Sequence, residues 1–403
     1  MTESSSGIES GRLSEIADVV RKAKQRGFSR RDRREVVISE IGQKSLDKEP
    51  AEVRETAINK YWNLKIGSPN MPVLIIAPHA KKAGEGEILG HLRDKFPEST
   101  RKKLLELTKQ WLEVERDQGT HKIIERRSSN NEIFTAIKLL ANRLDSSTDS
   151  LAETIAKESN STLAIAKKSR MWADANRKPF SHKPQGVGQQ KRFIQAREYP
   201  TSIRASWYWA AQKIIERTVG LDDDKKPIKP FLQIVIHGMK DRISEDGEDN
   251  YDIVIGGGDI KKDEEKKLAN DKVINWLTET LIRKVNEQKG FPNGFKVAID
   301  RKGKETVEVF QIKNGKVEKK EIKRIGERLS GADLGLEYFR TGCNFEVETL
   351  EGNQRVLKFP GLGTNFNTIQ LEVSRNIREN PEFRAVFTQA LGELSVEFGE
   401  NFL

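Results

Sequence analysis

The chain has 403 residues and a formal net charge of +10, from 71 Lys+Arg against 61 Asp+Glu, a length that fits one large α/β domain or two ordinary ones and permits a substantial core. No run approaches the ~18 consecutive apolar residues of a membrane span. Met1–Arg12 is polar and carries acids, unlike a secretory or transit leader, and the single cysteine, Cys343, excludes a disulfide framework, a Cys-built zinc site and an iron–sulfur cluster.

These features predict a soluble, cytosolic protein. The pI near 9.3 favours anionic partners, either nucleic acid or a small acid. The charge is interspersed rather than blocked, since the run Arg30–Arg34 is broken by Asp32 and followed by Glu35.

From Leu13 to about Lys65 the apolar positions Leu13, Ile16, Val19 and Val20, then Val36, Val37, Ile41, Val53 and Ile58, keep helical spacing. This predicts a basic helical extension over residues 1–68 and a main domain over 69–403, with Ser68-Pro69 and Met71-Pro72 as punctuation. Val73–Ala77 is a short, continuous apolar run, read as a strand buried on both faces and ending at Pro78-His79. Residues 86–168 read as helices, with Leu104, Leu107, Trp111, Leu112 and Val114 on one face and Ser150-Leu-Ala-Glu153 in the form of a capping box. After a polar stretch at 169–190, a helix is predicted within Trp207–Ile215 and a second buried strand over Phe231–Ile236, ended by His237.

A third strand, Tyr251–Ile255, is closed by Gly256–Gly258. A helix over 265–288 and a strand over Lys296–Asp300 follow. Val307–Ile322 alternates around Asn314-Gly315, a strong hairpin signal, and makes 300–330 a charged elaboration. Last come a strand around Phe345–Val347, a turn at Gly361–Gly363, and Thr368–Val373 leading into a C-terminal helix. Strands alternating with helices predict an α/β three-layer sandwich with a mainly parallel mixed sheet.

Among the five histidines, His91, His121 and His182 sit in polar or charged surroundings, whereas His79 and His237 each follow an apolar strand run. Ligands of open α/β sheets bind outside the carboxyl ends of strands, so these two imidazoles have positions to share a crevice; the alternative is that each only hydrogen-bonds at a strand end. Glu85 and Glu87 follow His79 across Gly84 and Gly86, and two imidazoles with one carboxylate form the usual catalytic zinc set. Glu372 lies in the apolar strand pattern Ile369–Val373. There a desolvated carboxylate has its pKa raised towards that of a general base; on an edge strand it would instead face solvent. Asn176-Arg177 offers an amide beside a planar guanidinium, a suitable clamp for a carboxylate.

Five blocks in this order resemble the N-formylglutamate amidohydrolase family of the wider zinc-carboxypeptidase-like (phosphorylase/hydrolase-like) fold. They are Ala77-Pro78-His79, Ser169-Arg170-x3-Asp174-x-Asn176-Arg177, Ile236-His237-Gly238-Met239, Asp252-Ile-Val-Ile-Gly256 and Ile369-Gln370-Leu371-Glu372-Val373-x-Arg375. The resemblance implies a zinc-dependent hydrolase of an amide or peptide-type bond in a small anionic substrate. In it His79, Glu85 (or Glu87) and His237 hold Zn²⁺, and Glu372 moves the proton. Asn176, Arg177 and Arg375 bind substrate, Arg170 stabilises the oxyanion or completes the clamp, and Asp252 either orients His237 or fixes the glycine turn that follows. The chain departs from the family in the two lysines of His79-Ala-Lys-Lys-Ala-Gly-Glu85, and the family does not account for residues 1–68.

A rival expectation is a scaffold that recruits nucleic acid or a protein partner through its basic N-terminal helices and the 300–330 hairpin. Phosphate-driven binding would weaken linearly in log–log form with salt. In an oligonucleotide titration, no affinity even at low salt would remove this reading.

Overall fold

The computed structural model of the chain describes residues 50–80, 147–168, 200–239, 251–259, 267–288, 294–302, 304–313, 316–323, 336–348 and 354–402, with a few isolated positions including Asp145. The expected helices before residue 50 with Arg30–Arg34, the helical face at 104–114 and the polar stretch at 169–190 lie outside these residues. In chain order the elements are α1 (Ala51–Tyr61), β1 (Trp62–Lys65), β2 (Val73–Ala77), α2 (Thr148–Ser159), β3 (Thr162–Ala166), α3 (Pro200–Thr218), β4 (Phe231–Gly238) and β5 (Ile253–Asp259). There follow α4 (Asp271–Glu287), β6 (Lys296–Lys302), β7 (Thr306–Lys313), β8 (Lys316–Lys323), α5 (Glu337–Thr341), β9 (Cys343–Glu348), β10 (Gln354–Phe359), β11 (Phe366–Val373), α6 (Arg375–Glu379) and α7 (Pro381–Phe402).

Branched apolar runs such as Val73–Ala77 need cover on both faces, and they find it at the middle of a nine-stranded sheet ordered β1-β3-β2-β4-β11-β5-β6-β7-β8. Successive residues of a strand alternate between the two faces. On one face Val73, Ile75, Ile234, Ile236, Ile369 and Leu371 meet Leu151 and Ile155 of α2, Leu277 and Leu281 of α4, and Phe387 and Leu391 of α7. On the other, Leu74, Ile76, Val235 and Phe366 meet Ile58 and Tyr61 of α1 and Trp207 and Ile214 of α3. The result is three layers, helix–sheet–helix. β9 and β10 pair separately.

Three sequence expectations need correction. First, the sheet is evenly mixed rather than mainly parallel. The pairs β3–β2, β2–β4, β4–β11 and β5–β6 are parallel; β1–β3, β11–β5, β6–β7 and β7–β8 are antiparallel. The antiparallel pairs come from β1 beside β3, from β5, which returns beside β11, and from the β6–β7 and β7–β8 pairings, the last of which closes at Lys313 opposite Lys316.

Second, Thr162–Ala166 and Trp62–Lys65 read as helical but are strands. Both runs are short and closely follow a helix, and pairing with each other, and of Thr162–Ala166 with β2, fixes them as strands. As a consequence α1 and β1, both before residue 68, are part of the sheet domain. Trp62 packs edge-on against Trp207 at 5.4 Å, and its Nε1 donates to Ser206 Oγ at 3.0 Å.

Third, α2 opens earlier than the capping box predicts. Ser147 precedes it at φ 60°, and Ser150 Oγ donates to Ser147 O at 3.3 Å instead of capping the helix.

The connections decide where a site can form. From β2 the chain crosses to β3 through α2 on one face, and from β3 it crosses back to β4 through α3 on the other. Adjacent parallel strands whose crossovers leave in opposite directions open a crevice at their carboxyl ends. Here those strands are β2 and β4.

Remote from that crevice, Glu308 is buried under the β6–β8 hairpins with Lys304 Nζ at 2.5 Å, Lys319 Nζ at 2.8 Å and Arg301 Nε at 3.7 Å. Burial alone would push its carboxyl up, but hydrogen bonds from Lys304 and Lys319 and the charge of Arg301 outweigh it and hold the group below the usual glutamate range. With a depressed folded pKa, the stabilisation is present above the unfolded pKa and is lost as pH falls through the folded one. Glu308→Gln should therefore cost ~2 kcal/mol at neutral pH, with the deficit shrinking in acid, as read from urea unfolding at each pH.

Candidate metal centre

β2 ends at Ala77, Pro78 restricts the next backbone step, and His79 lies at the strand's exit with 1% of its surface exposed. Within β4, Phe231 and Val235 point to the α1/α3 layer, so His237, two positions on, points the same way; it is 3% exposed. Asp145 is fastened by its main chain. Its N–H donates to His79 O at 3.4 Å, and its carbonyl accepts from Thr148 Oγ1 at 2.8 Å in the first turn of α2.

These anchors bring three buried side chains to one point. Asp145 Oδ2 lies 2.8 Å from His237 Nδ1 and 3.4 Å from His79 Nδ1, and the imidazole centroids are 4.7 Å apart. Burial would raise the Asp145 carboxyl, but hydrogen bonding to His237 and His79 and their charge overcome it and hold the group far below the usual carboxylate range. Nε2 of His237 is buried without a hydrogen-bond partner among the described residues.

One donor atom from each of the three residues lies within 4.8 Å of the others. Metal–ligand bonds of 2.0–2.1 Å in a tetrahedral zinc site place neighbouring ligand atoms about 3.3 Å apart. The His79–Asp145 separation of 3.4 Å fits that edge, and the His237–Asp145 separation of 2.8 Å is shorter, at hydrogen-bond length. Two imidazoles and one carboxylate suit zinc and neighbouring transition metals better than calcium or magnesium. The donor set fits a divalent ion.

Glu372 lies beside this centre. β11 is a central strand between β4 and β5, so the solvent-facing edge position considered from sequence does not apply. Its residue pairs put Glu372 opposite His237 in parallel register and opposite Val254 on the other side. Register partners project to the same face. Glu372 is half-buried, and Gln370 Nε2 donates to its Oε1 at 2.6 Å.

The other expected residues have separate placements. Arg375 opens α6 and pairs with Glu379 at 2.8 Å. Asp252 Oδ2 accepts from Lys296 N at 2.9 Å and joins the starts of β5 and β6; the acid on His237 Nδ1 is Asp145. Glu85, Glu87, Arg170, Asn176 and Arg177 lie outside the described residues.

Asp145 itself escaped the sequence reading. Its one local sign is an acid in Asp145-Ser-Ser-Thr148 just ahead of a helix, which is indistinguishable from an ordinary helix start.

Fold and site together define an α/β protein with a buried His–Asp–His candidate metal centre at a topological switch point. No family model matches this chain, and neither does any curated protein. Among solved structures it is similar to gene product Atu2144 from Agrobacterium tumefaciens, at 11% identity and a TM-score of 0.37 over 85% of this chain and 94% of that one. Among the described residues no helix is long and apolar enough to cross a membrane.

As a ligand, Asp145 predicts that Asp145→Asn lowers Zn²⁺ affinity by more than the ~10–100-fold typical when a group merely supporting a ligand is lost, measured by competition with a chromophoric chelator. Unchanged affinity would remove Asp145 from the set.

Proposed function

We propose that the protein is a zinc-dependent hydrolase of an amide or peptide-type C–N bond in a small carboxylate-bearing substrate, such as an N-formylglutamate-like or γ-glutamyl compound. The observation that carries this reading is the convergence of His79, Asp145 and His237 at the β2/β4 switch point, with Glu372 opposite His237 on the adjoining strand. When bound, Zn²⁺ supplies Lewis acidity at the scissile carbonyl and lowers the pKa of water.

The chain's own residues have distinct tasks. His79, Asp145 and His237, all buried, would hold the ion. Glu372 takes a proton from the attacking water and returns it to the leaving nitrogen, as a general base and then acid. Gln370 keeps that carboxylate aimed by donating to Oε1. The family resemblance adds Asn176 and Arg177 as the clamp for the substrate carboxylate, with Arg170 beside them and Arg375 near the strand end. Glu85 or Glu87 fills any further ligand position.

The reading is tested with the purified protein, zinc analysis and a panel of N-formyl and γ-glutamyl amino acids. Glu372→Gln should lower kcat by ~10²–10⁴-fold while about one zinc per chain is retained. Full turnover in this variant, or turnover by metal-free wild-type protein, would sink the scheme.

A further inference from the structure

The two strands that carry His237 and Glu372 are joined at their ends by a buried arginine that neither the resemblance nor the mechanism uses. Arg378, in α6, is 5% exposed. Its Nε donates to Val373 O at 3.1 Å, and its Nη2 donates to Met239 O at 2.9 Å. Val373 is the residue after Glu372, and Met239 is two beyond His237. The same Val373 carbonyl also accepts from Met239 N at 2.9 Å, the last rung between β4 and β11. One guanidinium therefore spans the final peptide groups of both strands.

Gly238 supplies the space. A Cβ there would stand 2.8 Å from Arg378 Cζ and 3.0 Å from its Nε, closer than unbonded atoms tolerate. The glycine of Ile236-His237-Gly238-Met239 is thereby explained by the approach of a side chain from another element. The planar fork of arginine makes two directed hydrogen bonds to separate carbonyls, which lysine's single ammonium does not reproduce. α6 holds the fork in place: Ser374 Oγ accepts from Ile377 N at 3.3 Å, and Arg378 N donates to Ser374 O at 3.2 Å.

We infer that Arg378 is a positioning residue, which fixes the separation of the β4 and β11 ends and with it the placement of His237 for the metal and of Glu372 beside it. The inference rests on the reading of His79, Asp145 and His237 as a metal centre. Among the described residues the ladder hydrogen bonds between β4 and β11 end at this point. Without the clamp the last residues of both strands are free to splay, and His237 loses its alignment with Asp145.

The test compares Arg378→Lys, Arg378→Met and Gly238→Ala with wild-type protein, using the metal alone as the probe. Zn²⁺ affinity is measured by chelator competition, the Co²⁺ absorption spectrum reports ligand geometry, and urea unfolding of the apo-protein reports stability. We expect Zn²⁺ affinity to fall about 10–100-fold in Arg378→Met and Gly238→Ala, the loss usual when a group supporting a metal ligand is removed. Arg378→Lys should restore only part of it, and the Co²⁺ spectrum should change in all three. A purely structural arginine would lower apo-protein stability and leave the affinity and spectrum of the folded fraction at wild-type values, which would overturn the inference. If Arg378→Met does not fold, Gly238→Ala, which displaces the guanidinium without removing it, decides by the same two readouts. Absence of metal binding in the wild-type chain would instead bring down the metal-centre reading, and this inference with it.

Discussion

The structure is organised around a carboxylate withdrawn from water between two imidazoles. Burying an ionised acid costs several kcal/mol unless hydrogen bonds and opposite charge compensate, and for Asp145 the compensation comes from Nδ1 of His79 and Nδ1 of His237, both directed at Oδ2. His237 Nδ1 is at hydrogen-bond distance from Oδ2, 2.8 Å, and His79 Nδ1 stands at 3.4 Å, so one oxygen is shared by two closely spaced rings with little tolerance for movement. The same three side chains could hold a divalent ion. Either way, three segments from distant parts of the sequence must be held to within a few tenths of an ångström.

The sheet supplies that immobility. β2, β4 and β11 run in parallel through the middle of the molecule, packed on both faces by apolar layers, so their carboxyl ends share one edge. The opposed crossovers through α2 and α3 leave a crevice between β2 and β4 where two strand-end histidines can meet. Polar contacts continue along the face that carries His237. Trp207 Nε1 donates to Gln233 Oε1 at 2.9 Å, Gln233 Nε2 donates to Thr368 Oγ1 at 2.5 Å, and Gln370 steadies Glu372. Such a row within an apolar interior is stable only when its members are hydrogen-bonded, and the pairing ties α3, β4 and β11 into the unit that presents the site.

Legibility in the sequence followed the range of the interaction. The buried strands, the antiparallel β7–β8 pair and the helix over α4 were visible because apolar periodicity and turn chemistry act over a few residues. His79 and His237 stood out because each ends an apolar run, and Glu372 because it interrupts one. β1 and β3 did not, since each is a short run just after a helix and is fixed as a strand by its partners, β3 by β2 and β1 by β3. Asp145 was hidden for a related reason: its partners are 66 and 92 residues away in sequence, and its neighbours mark only a helix start.

By itself, then, the sequence determined the α/β class, the principal buried strands, and two histidines and an acid placed at strand ends, because these depend on local alternation of apolar and polar side chains. Tertiary structure alone decided the evenly mixed strand directions, the inclusion of α1 and β1 in the sheet, the arrival of Asp145 between the imidazoles and the lodging of Arg378 against Gly238. Each of these is a contact between segments far apart along the chain, fixed by which strands become neighbours and in what register, and no local pattern of residues encodes that choice.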